Sequence, residues 1–394
     1  MKHLLLILSL FLFSFTYISC SKSSDDDTTS TDNSTTTGLF VTVGVSGTIL
    51  TSSDGTSWDN RTSGTTEGLY GVTYGNGLFV TVGYPVTILT SPEGTTWTER
   101  TSGTSGYLFG VTYGNGTLVI VGDSGTILTS SDGTTWTSRT SGTSYGLLGV
   151  TYGNNTFVSV GFSGTILTSS DGTSWDNRTS GTSYGLQGVT YGNGTFVTVS
   201  WNGTILTSSD GTTWTSRTSG TSDNLQGVTY GNGLFVSVGD SGTILTSPDG
   251  TKWTSRTSGT SYGLGGKTYG NGTFVTVGES GTILNSSDGV TWTSRTSGTS
   301  DKIREVTYGN STFVTVGDNG TILTSTDGTS WTLRASGTTN TLYGVYRTSG
   351  TTNTLYGVTY SQYPPPKTNT PQKYLKVKKY LNIVNPPFLV NQTD

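Results

Sequence analysis

The chain has 394 residues, of which 30% are hydrophobic and 11% charged, with 58 glycines and a formal net charge of −4. Glycine, serine and threonine in such excess fit neither a helical bundle nor a large conventional core, and they point to short strands joined by tight turns. The small charge, without a basic stripe, gives no ground for a nucleic-acid partner.

In chain order, Lys2 precedes an apolar run from Leu4 to Phe15. That pattern reads as a secretory signal peptide over residues 1–19, too short for a transmembrane helix. Ser19 directly before Cys20 resembles the lipobox of bacterial lipoproteins, although Tyr17 departs from the aliphatic residue usual at its site. The resemblance implies cleavage before Cys20 and lipidation of its thiol, hence a membrane anchor and a place in the bacterial cell envelope. The alternative is a plain signal peptide with an incidental cysteine. Cys20 is the only cysteine, so a disulfide framework is excluded. Residues 20–37 carry Asp25, Asp26 and Asp27 among serines and threonines, a disordered acidic tether with too few apolar residues to fold.

The next element is a repeat. Trp58, Trp97, Trp136, Trp175, Trp214, Trp253, Trp292 and Trp331 recur every 39 residues. The third copy shows the unit: strand A at Gly110–Tyr113, an Asn115-Gly116 turn, strand B at Leu118–Val121, and a turn through Asp123-Ser124-Gly125. Strand C then runs Thr126–Ser130, followed by the Asp132-Gly133 turn and strand D at Trp136–Thr140. Asn-Gly accepts positive φ at both central positions and closes a two-residue hairpin. One unit has too few apolar side chains to offset the entropy of ordering it, whereas stacked units cover both faces of every small sheet. Closing the stack into a ring leaves only short, protected edges. The expected fold is therefore all-β, an eight-bladed β-propeller of four-stranded blades over residues 38–360, with seven blades as the alternative.

The ends of the array support closure. The first copy begins at Leu39–Val43, which is strand B, and its missing strand A reappears after the eighth copy. Ser336–Val345 recurs as Ser349–Val358, so two copies of the closing sequence stand 13 residues apart and either fits the role. Residues 361–394 abandon the repeat and carry Pro364-Pro365-Pro366 and four lysines between Lys373 and Lys379, which reads as a disordered tail.

The segment Ser130–Trp136 resembles the Asp-box, or bacterial neuraminidase repeat, and more loosely the propellers related to photosystem II assembly factors. The family's box is usually Ser-x-Asp-x-Gly-x-x-Trp, and here the residue between Asp and Gly is absent. Asp54, Asp132, Asp171, Asp210, Asp249, Asp288 and Asp327 occupy the box with their tryptophans, and Glu93 replaces one of them. The resemblance implies the propeller fold and says little about activity.

The only histidine is His3, inside the expected signal peptide. Histidine-dependent nucleophilic catalysis and the ordinary zinc ligand sets are thereby excluded, and no metal or cofactor is expected. A carboxylate present in every blade points to turn-building, not to the two-carboxylate chemistry of glycosidases. The three arginines that a sialidase resemblance implies have no counterpart, because Arg61, Arg100, Arg139 and their equivalents recur on every outer strand.

The reading is a non-catalytic cell-surface propeller that recognises a glycan or a protein. The alternatives are a scaffold or assembly factor for an envelope complex and, third, a glycoside hydrolase. Variation among copies locates the candidate ligand face on the B–C turns and the start of strand A. Tyr84, Asp123, Phe162, Trp201, Asp240, Glu279, Lys267 and Arg304 are the candidate ligand-binding residues.

Overall fold

The computed structural model describes residues 38–348. The signal peptide, Cys20, the acidic tether, the second copy of the closing sequence and the lysine-bearing tail lie outside the described residues.

Among the described residues the chain forms eight antiparallel four-stranded sheets, each ordered D-C-B-A from rim to axis. Blade 4 is representative: A is Leu147–Gly153, B is Thr156–Gly161, C is Ile166–Ser169 and D is Asp176–Arg178. The A–B hairpin turns on Asn154 and Asn155, with φ 45° and 55°, so asparagine serves at a position where most blades use glycine. Strand B is buried on both faces after its first residue, because each blade packs between two others. The core is accordingly divided into wedges between blades. Val158, Val160 and Ile166 of blade 4 meet Leu186, Val189, Phe196 and Leu206 of blade 5, capped by Trp214.

The inner strands touch in a closed circle, and the last of them, Leu342–Arg347, packs beside the inner strand of blade 2, Gly68–Gly75. It pairs antiparallel with Phe40–Gly44, with Phe40 opposite Arg347 and Val43 opposite Gly344. The ring thus has eight blades, and the first of the two duplicated sequences completes blade 1. Thr42 Oγ1 donates to Gly344 O at 2.8 Å and Leu39 N to Thr348 Oγ1 at 2.9 Å across the junction.

The box turns are built by their carboxylates. In blade 5, Asp210 Oδ1 accepts from Thr212 N (2.8 Å), Thr213 N (3.0 Å) and Ser208 Oγ (2.9 Å). Trp214 Nε1 donates to Gly211 O at 2.8 Å, which lays the indole over the wedge within 6.4 Å of the Phe196 ring. The Thr212 hydroxyl and these N–H donors hold the Asp210 carboxyl well below the usual aspartate range, and the same causes act on Asp54, Asp132, Asp171 and Asp327. Asp249 and Asp288 are lowered to about 2. The outer arginines are likewise used within the blade: Arg217 Nε donates to Thr207 Oγ1 at 2.8 Å, and Arg295 meets Asn285 in the one blade without that threonine.

Candidate functional site

In an antiparallel blade the B–C turn and the D–A loop lie at the same end, opposite the Asn-Gly and box turns. Two columns of side chains converge at that end. The first is the opening residue of the B–C turn: Val45, Tyr84, Asp123, Phe162, Trp201, Asp240, Glu279 and Asp318. The second comes from a β-bulge. In the inner strand of blade 5, Leu186 pairs with Ser200 and Gly188 with Val199, so Gln187 between them is skipped by the ladder. The same slip recurs in every blade and leaves Tyr70, Phe109, Leu148, Gln187, Gln226, Gly265, Arg304 and Tyr343 outside the pairing. A bulge residue is re-aimed by the local kink and is free of the alternation that governs its neighbours. The sequence showed that this column varies, but its cause is a register slip that no residue type signals.

The two columns meet fourteen residues apart. Gln226 Nε2 donates to Asp240 Oδ1 at 2.8 Å in blade 6, and Arg304 Nε donates to Asp318 Oδ1 at 2.5 Å in blade 8. The face divides accordingly into two sectors. Blades 6 to 8 form an ionic sector, where Asp240 also accepts from Asn224 (2.9 Å), Lys302 lies 3.6 Å from Glu279, and Asp301 holds Asn319 (2.8 Å) and Thr321 (3.0 Å). The Asn319 and Thr321 contacts pull the Asp301 carboxyl down, while burial and then Arg304 push the Lys302 amine down against Glu279 and Asp318. Asp123 stands apart from this sector and accepts from Ser124 N at 2.8 Å.

Blades 2 to 5 form an aromatic sector. Tyr84 stacks on Tyr107 with centroids 4.0 Å apart and planes 15° from parallel. Phe162 and Trp201 are tilted by 47° at 6.0 Å. Tyr84 and Trp201 are each 40% exposed, and Tyr145 and Tyr184 in the adjoining loops are more so. Apolar rings that remain this accessible are the surface on which a partner gains most by desolvation.

Lys267 is placed differently from the other candidates. It occupies a column that is valine in the other seven inner strands and is 7% exposed, with Nζ donating to Gly265 O at 3.1 Å. In the neighbouring blade Glu305 stands in a column that is otherwise glycine. Glu305 keeps partial exposure, yet crowding by the inner strands raises its carboxyl, opposed by Lys267, and burial lowers the Lys267 amine, opposed by Glu305. The pair belongs to the inner wall and not to the exposed rim. Among the described residues no group of three or more His, Cys, Asp or Glu side chains is disposed to hold a metal ion.

No family model matches the sequence, and no curated protein matches it. The fold resembles solved propellers. YCF48 bound to D1 peptide is 18% identical with a TM-score of 0.52, the match covering 63% of this chain and 88% of that one. YCF48 from Cyanidioschyzon merolae is 17% identical, with a TM-score of 0.51 over 65% and 94% of the two chains. The computationally designed Ika8 protein is 15% identical, with a TM-score of 0.60 over 75% and 93%. At these identities the likeness is one of fold: the chain is an all-β, eight-bladed propeller of four-stranded blades.

Proposed function

We propose that the chain is a non-catalytic, protein-binding propeller, a scaffold that holds an extended polypeptide on the face of its B–C turns and D–A loops. One observation carries this reading: two variable columns, one of them freed from the ladder by a bulge, meet at a single rim and expose paired aromatic rings. A glycan presents many hydroxyl donors, and the carboxylates of Asp240, Asp318 and Asp301 are already committed to Asn224, Gln226, Arg304 and Asn319. An extended chain with apolar side chains fits the rings better. That a propeller of similar fold has been solved with a peptide bound supports the same choice. Lipid on Cys20, which the lipobox resemblance supports, belongs to the proposal and would hold the propeller at a bacterial membrane.

The test presents a panel of extended peptides and a glycan array to the full-length protein and to a Tyr84→Ala/Phe162→Ala/Trp201→Ala variant. Peptide binding that falls at least tenfold in the variant, about 1.4 kcal/mol, is the expected result. Glycan binding without peptide binding, or a variant that binds peptides as the parent does, overturns it.

A further inference from the structure

Blade 5 departs from the other blades at three linked positions. In blades 3, 4, 6, 7 and 8 strand B ends in glycine, and a Cβ added there would lie 2.1–2.3 Å from a carbonyl oxygen of the preceding D–A loop. Ser200 carries that Cβ in blade 5, and there Trp201 N stands 3.3 Å from Gly185 O, against 2.8–3.0 Å for the same bond in those five blades. The bond that closes the turn in blades 1, 3, 4, 6, 7 and 8, such as Thr243 N to Asp240 O at 3.0 Å, is not formed by Thr204. The Trp201 carbonyl accepts from the Ser200 hydroxyl instead, at 3.0 Å. The turn that carries the exposed indole is therefore more loosely closed than those of blades 3, 4, 6, 7 and 8.

The inner strand of the same blade carries a donor without an acceptor. Gln187 is 9% exposed and its Nε2 is buried with no hydrogen-bond partner. The register of blade 5 matches that of blade 6, where Gln226 Nε2 finds Asp240, but fourteen residues after Gln187 stands Trp201. A buried amide donor left unmet destabilises a fold, and nothing in the propeller architecture requires it, since Leu148 fills the same position in blade 4.

We propose that the Phe162–Trp201 ring pair, together with Gln187 at the register position that meets the turn residue in blade 6, binds a proline-containing extended segment of a partner protein. The buried polar atom lacking a partner in this blade's inner strand is a donor, so the ligand must bring an acceptor. An ordinary peptide unit also brings an N–H that would need a partner of its own, whereas a proline residue brings a carbonyl and no N–H. Its ring packs on the exposed face of the Trp201 indole, and the extended left-handed conformation that proline favours is pre-ordered for docking on aromatic side chains. The loosened turn lets the indole swing aside so that the carbonyl reaches Gln187 Nε2. This inference rests on the protein-binding reading above and names the chemistry of the segment bound.

The test titrates decaproline and a length-matched glycine–serine peptide into the full-length protein carrying Pro364→Ala, Pro365→Ala and Pro366→Ala, so that its own triproline cannot compete. Decaproline is expected to bind at least tenfold more tightly. Gln187→Leu, which copies blade 4, and Trp201→Asp, which recreates the blade 6 pair, should each weaken decaproline binding at least tenfold while raising the thermal midpoint. Undiminished binding by Gln187→Leu, or no preference for decaproline, overturns the inference. If other peptides bind and lose affinity in the aromatic triple variant while decaproline does not bind, the proline assignment falls and the protein-binding function stands. If no peptide binds, both fall.

Discussion

Leu342→Ala tests how the ring is closed. Leu342 is fully buried in the wedge between blades 8 and 1, with Phe40, Leu50, Val314, Val316, Ile322 and Val345. Leu225 fills the equivalent place between blades 5 and 6, with Phe235, Leu245, Val197, Val199, Ile205 and Val228. Truncating a leucine so enclosed costs about 2–5 kcal/mol, the spread reflecting how far the cavity collapses. Because the two wedges have the same composition, Leu342→Ala and Leu225→Ala should fall together within that range, while Leu355→Ala should stay within about 0.5 kcal/mol of the parent. Urea unfolding followed by tryptophan fluorescence measures all three, with an unchanged m-value as the control that the same surface is exposed. A Leu342→Ala protein as stable as the parent would show that another strand holds the edge of Phe40–Gly44, and closure by Leu342–Arg347 would be refuted.

Lys267→Val with Glu305→Gly restores the common residues of their columns and should be neutral or stabilising. Each single change should destabilise, by an amount between the roughly 1 kcal/mol of an exposed pair and the roughly 3–5 kcal/mol of a fully buried one. A thermal-unfolding double-mutant cycle reads this, and additive effects would deny the coupling. The box aspartates have folded pKa values below their unfolded ones, so their stabilisation is complete above about pH 4 and is lost as pH falls through the folded values. The thermal midpoint should therefore drop steadily between about pH 4 and pH 2, and an unchanged midpoint there would contradict the turn role. Cys20→Ala should remove the acyl group and release the protein from the membrane fraction, since a lipid is the anchor proposed; unchanged partitioning would rule it out.

The 39-residue spacing of the tryptophans made the blades legible, because each box turn repeats the same hydrogen bonds, and the strand missing before Leu39 announced closure. Which duplicate closes was not legible. The second copy, with Thr359 and Tyr360, matches the other inner strands better than the first, which places Tyr346 and Arg347 there. The structure uses the first, and so keeps the seven-residue D–A loop of the other blades; the second would need a loop of 20 residues, costing only about 0.9 kcal/mol more in closure entropy. Arg347 is buried by the choice, with its Nε unpartnered and its guanidinium 5.1 Å from the Phe40 ring. Such small differences are decided by packing and leave no mark in residue patterns. The variable rim was visible as variation, but the unmet amide of Gln187 was not, since it depends on a pairing across fourteen residues that only the register reveals.

The bulge has a consequence for design and for descent. Because its residue stands outside the ladder and the turn residue follows the end of strand B, two positions per blade are uncoupled from the alternation that builds the wedges. Glycine, leucine, glutamine, arginine and tyrosine already share the bulge position within this one chain. A library randomised at those two positions in each blade would change what the rim offers while leaving the register intact, and duplication of a blade followed by drift at two codons gives the same freedom to a lineage.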